Sequence, residues 1–276
     1  MPERITLTTA TPAGPRPVSL TYERRGAGEP LLLLHGIGHH WQAWEPVLGV
    51  LAADRDVIAV DLPGFGASDA LPEGCAYDLG TVGRVLDAFA GALGVERPHV
   101  AGNSLGGLLA LHLGREGRAR SVTALSPAGF WSEGERHYAF AALRAMRGAA
   151  RSLPVPLIDR LSRTAAGRTV LTSTVYARPG RRSAGAVRAE TLALRGAPGF
   201  ALTLAAGRDV VFGDDVPGVP VTVAWGTRDR LLPPRQGVRA KRTLPRARLV
   251  RLPGCGHVPM NDDPALVARV LLDGSS

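Results

Sequence analysis

Only two cysteines, Cys75 and Cys255, occur in the 276 residues, far apart and outside any CxxC or Cys/His spacing. That excludes a disulfide framework, gives no metal-ligand pattern and fits a reducing compartment. No stretch approaches the roughly 18 uninterrupted apolar residues of a membrane helix. Met1 to Arg25 lacks the basic start and apolar run of a signal peptide. The expected location is the cytoplasm, with no stable membrane anchor. Lysine is nearly absent as well: of 33 basic residues only Lys241 is not an arginine. The arginines are not interleaved with stacking aromatics, and no DNA-binding motif occurs, so no nucleic-acid partner is expected.

What is present is ordinary globular composition, 45% hydrophobic and 21% charged, which excludes a disordered or fibrous chain. The length suits one large α/β domain or a domain with one insertion. The net charge of +9 is unevenly placed: residues 131–210 hold 13 arginines against five acids, and the other 196 residues carry only +1. Such a segment either attracts an anionic substrate or membrane surface by long-range field or is a solvated helical face.

Short apolar runs alternate with helical periodicity. Val18 to Arg24 reads as a strand, and Leu31 to Leu34, bounded by Pro30 and His35-Gly36, as a buried one. Trp41 to Ala53 suits a helix, Val57 to Val60 a strand, and Tyr77 to Leu93 a helix stopped by Gly94. His99 to Gly102 and Val122 to Leu125 are strands flanking a helix over Leu105 to Leu113. Strands alternating with helices imply a parallel sheet covered on both faces. From Phe130 to Asp209 the pattern is helical only, cut by Pro154, Pro156, Pro179 and Pro198, as for an inserted all-helical segment. The alternation resumes with a strand at Val219 to Trp225, a helix near Arg235 to Leu244, a strand at Arg248 to Leu252 and a helix from Pro264 to Leu272, with Asp263 as its N-cap.

Gly102-Asn103-Ser104-Leu105-Gly106 is a G-x-S-x-G sequence where a strand meets a helix, the context that gives the match meaning. A sharp turn there exposes the central side chain above the sheet, and the flanking glycines avoid collision. Ser104 is therefore the candidate nucleophile. A serine hydroxyl needs a base and a group to orient that base. His257, framed by Gly254, Gly256 and Pro259 just past the last strand, is the candidate base. Asp229, directly after the Val219 to Trp225 strand, is the better orienting acid by position; Asp262 and Asp263 look like helix-start residues. Backbone amides of Leu105 and of Ile37, in His35-Gly36-Ile37-Gly38, suit an oxyanion hole.

With these elements in place, the chain resembles the α/β-hydrolase fold family. The resemblance rests on His35-Gly36, Asp61 to Asp69, Gly102 to Gly107, Trp225 to Asp229, Gly256-His257, Pro259 and Pro264. It implies a mostly parallel eight-stranded α/β-hydrolase sheet, a Ser-Asp-His triad and no cofactor. It also implies a core of residues 1–129 and 210–276, with an all-helical cap, residues 130–209, inserted after the sixth strand. Members with an aspartate nucleophile, the dehalogenase-like and epoxide-hydrolase-like ones, are disfavoured by Ser104. Hydrolases of ring-fission carbon–carbon bonds share the Gly-Asn-Ser-x-Gly-Gly turn but commonly carry tryptophan where Val258 stands; haloperoxidase-like members use the same triad. The expected activity is hydrolysis of a carboxylic ester, lactone or thioester of a small, apolar acyl compound. A binding protein that kept the fold without turnover is the reading of another class. Phe130, Trp131 and Tyr138, with Phe140, Leu143 and Met146, are candidates for an acyl pocket or for packing among cap helices. Cys255 reads as a small buried filler.

Overall fold

The computed structural model describes residues 1–276. Eight strands form one sheet: β1 (Glu3–Thr9), β2 (Arg16–Arg25), β3 (Pro30–Leu34), β4 (Asp56–Val60), β5 (His99–Asn103), β6 (Ser121–Leu125), β7 (Val221–Gly226) and β8 (Arg248–Leu252). Their order is β1-β2-β4-β3-β5-β6-β7-β8. Pairing is antiparallel for β1 with β2 and β2 with β4, and parallel from β4 through β8. Every residue of β4, β5 and β6 is buried, and the polar ones among them, such as Ser121 and His99, which bond each other, are satisfied inside the sheet.

Helices cover these strands. α1 (Glu45–Leu51) packs on α10 (Pro264–Asp273), and α2 (Leu79–Ala92) on α3 (Leu105–Arg115). Asp78 accepts from the Thr81 amide and Asp263 from the Leu266 amide, which starts α2 and α10 at defined residues. The helical pattern from Trp41 opens as a short 3₁₀ turn, Trp41–Trp44, before α1. β7 begins at Val221, after Pro220, which has no N–H to give the ladder. β1 has no counterpart in the sequence reading. It is an edge strand in which only Leu7 is buried, so it carries no apolar run.

Between β6 and β7 the chain forms five helices, α4 (Glu133–Ser152), α5 (Val155–Ser162), α6 (Ala165–Thr172), α7 (Ala184–Gly196) and α8 (Phe200–Ala206). Glu135 closes a capping box with Ser132 at the start of α4. The same carboxylate takes Arg235 and Arg239 of α9 (Arg235–Thr243), fastening the insertion to the sheet layer. Many of the insertion's arginines bind its own backbone or acids: Arg168 donates to the Ser162 and Gly180 carbonyls, Arg147 to Ala197, and Arg188 pairs with Asp159. Seven others, Arg144, Arg151, Arg160, Arg163, Arg178, Arg181 and Arg208, face outward.

Arg195 has a particular task. Its Nη1 lies 2.8, 2.9 and 2.7 Å from the carbonyls of Ala150, Arg151 and Leu153, acceptors that the end of α4 leaves without helical donors. Arg195→Ala is expected to lower unfolding free energy by about 1–3 kcal/mol, the cost of stranding such acceptors. Urea denaturation checks this, and an unchanged midpoint would contradict it.

Candidate active site

Ser104 is the single residue between β5 and α3, at φ +56° and ψ −114°. This is a left-handed backbone that a serine adopts only where its surroundings over-determine it. They do so here. A side-chain carbon on Gly102 would sit 2.0 Å from the Gly106 carbonyl oxygen, and one on Gly106 would sit 2.0 Å from that of Leu34. β5, α3 and β3 meet closer than any side chain allows. The Ser104 amide donates to the Leu125 carbonyl at 3.0 Å, and its carbonyl accepts from Leu108 at 3.0 Å and Ala128 at 3.1 Å.

Asp229 lies in the turn after β7. Its Oδ1 accepts from the Leu231 and Leu232 amides at 3.0 and 2.8 Å, and its Oδ2 accepts from His257 Nδ1 at 2.8 Å. That bond places the proton on Nδ1 and leaves Nε2 as the basic nitrogen. Nε2 is buried and has no hydrogen-bond partner. It lies with Ser104 in the wall of one cavity. No hydrogen bond joins Ser104 Oγ to Nε2 in this conformation, an openness common where substrate is absent.

Two residues that the sequence reading passed over hold the His257 loop. Asn103 Nδ2 donates to the His257 carbonyl at 2.9 Å and the Leu125 carbonyl at 3.0 Å, tying the loop to β5 beside Ser104. Asp262, expected to start a helix, instead accepts from Gly256, Ala177 and Arg178 amides at 2.8, 3.0 and 2.9 Å. Gly256 must lack a side chain, since a Cβ there would meet Ala177 N at 2.7 Å. Nothing local in the sequence marks Asp262 for this task.

The amides of Ile37 and Leu105 donate to no protein acceptor. Both residues, with Ser104, line a second cavity walled by Trp131, Phe140, Leu143 and Leu204. The Ile37 loop is rigidly backed. His35 Nδ1 donates to the Gly36 carbonyl at 2.7 Å, and its Nε2 accepts from the Leu62 amide at 2.9 Å. Burial lowers its pKa to about 3 and keeps it neutral. Asp61 accepts from the Trp41 and Ala67 amides at 2.6 and 2.8 Å, so the Asp61 to Asp69 segment is a support for this loop.

Phe130 and Tyr138 belong elsewhere. Phe130 packs on Phe212 with ring centroids 5.6 Å apart, and its carbonyl accepts from Arg239. Tyr138 is 50% exposed and its hydroxyl donates to the Arg230 carbonyl. Neither lines either cavity; α4 turns Tyr138 outward and Phe140 inward. Cys255 is fully buried, and burial pushes its thiol up to about 12.

The sequence matches the model of the alpha/beta hydrolase family over residues 31–270. The chain belongs to that family. Within it, an uncharacterized protein of Mycobacterium tuberculosis is 28% identical over 255 residues, covering 87% of this chain and 73% of the relative. A pimeloyl-(acyl-carrier protein) methyl ester esterase of Legionella pneumophila is 33% identical over 103 residues, 37% of this chain and 39% of that one. The fold is shared with an esterase of Thermogutta terrifontis, with a TM-score of 0.77, 21% identity and coverage of 98% of this chain and 97% of the other. No helix is long and apolar enough to cross a membrane.

Gly106→Ala is expected to cost more than about 3 kcal/mol or abolish soluble folding, since the clash is with backbone that cannot retreat; a near-native thermal midpoint would contradict the close approach. A second expectation concerns acid. His39, like His35, is buried, and its pKa is lowered to about 4 from an ordinary 6.5. The unfolded chain takes up protons on both imidazoles near 6.5 while the folded chain does not, so stability is intact above that pH and falls below it. Between pH 6.5 and 5 the loss approaches about 1.4 kcal/mol per pH unit for each histidine. Urea denaturation across this window should show the slope, and His35→Gln should reduce it; an unaltered slope would contradict it.

Proposed function

We propose that this protein hydrolyses a carboxylic ester, lactone or thioester through an acyl-enzyme on Ser104, with residues 130–209 acting as a cap over the site. The observation that carries this reading is the 2.8 Å bond from His257 to Asp229, which directs an unpartnered, buried Nε2 into the cavity that the strained Ser104 also lines. A buried imidazole nitrogen without a partner is costly unless it has a task.

In this mechanism Nε2 takes the Ser104 proton as Oγ adds to the substrate carbonyl. Charge on the carbonyl oxygen is met by the Ile37 and Leu105 amides, aided by the positive end of α3. The imidazolium is stabilised by Asp229, whose second oxygen is already held by two amides and so cannot swing away. Collapse of the adduct expels the leaving oxygen or sulfur with the proton from Nε2. Water, deprotonated by the same nitrogen, then adds to the acyl carbonyl and releases the acid and free Ser104. Trp131, Phe140 and Leu143 supply an apolar wall for the acyl group. The methyl ester esterase relative is in keeping with the reaction class.

A panel of p-nitrophenyl esters of graded acyl length tests the reading. Wild type should turn over at least one, and a fluorophosphonate should label Ser104. Ser104→Ala should lose both label and turnover, and Asp229→Asn should lower kcat by about 10³–10⁴-fold with the fold intact. Full activity in Ser104→Ala, or no labelling of folded wild type, would refute the mechanism.

A further inference from the structure

The two cavities that meet at Ser104 differ in kind. They share Ile37, Ser104, Leu143 and Leu231. One is walled almost wholly by apolar side chains; the other contains His257, His39 and Glu190. No arginine or lysine lines either, although the chain carries 33 basic residues. The surplus positive charge is therefore kept outside the reaction chamber, and the fixed charge in its wall is a carboxylate.

Glu190 projects from α7 and is buried. Its Oε2 accepts from the Tyr176 hydroxyl at 3.0 Å and from Arg182. Its Oε1 accepts no hydrogen bond and lies 3.3 Å from His39 Nε2. Arg182 stacks 3.9 Å over the Tyr176 ring, behind Glu190 and away from the cavity. Burial opposes the Glu190 charge, but the Arg182 guanidinium paired with it holds its pKa below the usual carboxylate range. The carboxylate is thus ionised and paired with Arg182 on Oε2, while Oε1, beside His39 in the cavity wall, accepts no hydrogen bond.

The direction of the reaction assigns the two arms, an argument that rests on the acyl-transfer reading above. A leaving atom must receive its proton from His257 Nε2, so the leaving group occupies the arm that His257 lines. The acyl group then takes the apolar arm, where Leu105 and Trp131 stand. We propose that Glu190 makes the leaving-group arm a subsite for an alcohol or thiol that carries its own hydrogen-bond donor, neutral or cationic, and closes that arm to leaving groups bearing a carboxylate or phosphate. An anion there would meet a like charge with no free cation to balance it, and an apolar group would leave Oε1 without a donor.

Three esters of nearly equal size, propyl, 2-hydroxyethyl and carboxymethyl, test the assignment, with the acyl group fixed as that of the best p-nitrophenyl ester. In wild type, kcat/KM for the carboxymethyl ester should fall at least about 10-fold below that for the propyl ester, as like charge in a part-buried site requires. The 2-hydroxyethyl ester should exceed the propyl ester by about 10-fold, the discrimination typical of a hydrogen bond to a charged acceptor. In Glu190→Gln, Arg182 loses its counter-charge, and the carboxymethyl-to-propyl ratio should rise at least about 10-fold as the arm comes to favour anions. An unchanged ratio in the folded variant overturns the role of Glu190. If Glu190→Gln does not fold, the wild-type ratios decide, since equal rates on all three esters overturn it as well. In either case, continued turnover of the propyl ester leaves the Ser104 mechanism standing. No turnover of any p-nitrophenyl ester and no labelling of Ser104 would remove both.

Discussion

The approach of Gly106 to the Leu34 carbonyl is the constraint on which the site depends. Because no side-chain carbon fits between β5, α3 and β3, the chain can pass from strand to helix in one residue, and that residue must adopt a left-handed backbone. Ser104 is held upright by the closeness of its neighbours rather than by any bond to its own hydroxyl. The same closeness brings the amides at the start of α3 within reach of whatever bonds to Ser104. It also sets β3, and hence the Ile37 loop that follows it, on the opposite side.

Around this point the supports are redundant. His35 couples the Ile37 loop to Leu62, and Asp61 ties the next loop to Trp41 and Ala67. Asn103 fixes the backbone of His257 from the residue adjoining Ser104. Each support uses a buried polar group whose hydrogen bonds are directional, so Ser104, His257 and the Ile37 loop are held by built-in scaffolding. The apolar walls come from both the insertion, with Trp131, Phe140 and Leu143, and the sheet layer, with Leu105, Leu108 and Leu231, and the polar geometry comes mostly from the loops at the carboxyl ends of β3, β5, β7 and β8.

What was legible in the sequence was what short-range rules govern. Ser104 stood out because the glycine spacing has a local steric cause. The buried strands stood out where burial on both faces leaves a short apolar run, as in Leu31 to Leu34 and Val57 to Val60, and the candidates Asp229 and His257 were picked from their places after strands. β1 escaped notice because an exposed edge strand need not be apolar. Phe130 and Tyr138, read as lining an acyl pocket or as packing, lie outside both cavities, and the direction in which α4 turns Tyr138 is not legible from its spacing alone. Asp262 and Glu190 gave no local sign of these contacts, which bring in Ala177, 85 residues from Asp262, and Tyr176, 14 residues from Glu190.

The Asp262 carboxylate gathers amides from both the His257 loop and the segment Ala177 to Arg178, while Val258 N bonds the Val175 carbonyl at 3.0 Å. One end of the insertion is thus pinned to the very turn that presents the imidazole. Any displacement of the insertion at this end is therefore transmitted to the loop that carries His257, whose ring Asp229 holds at 2.8 Å.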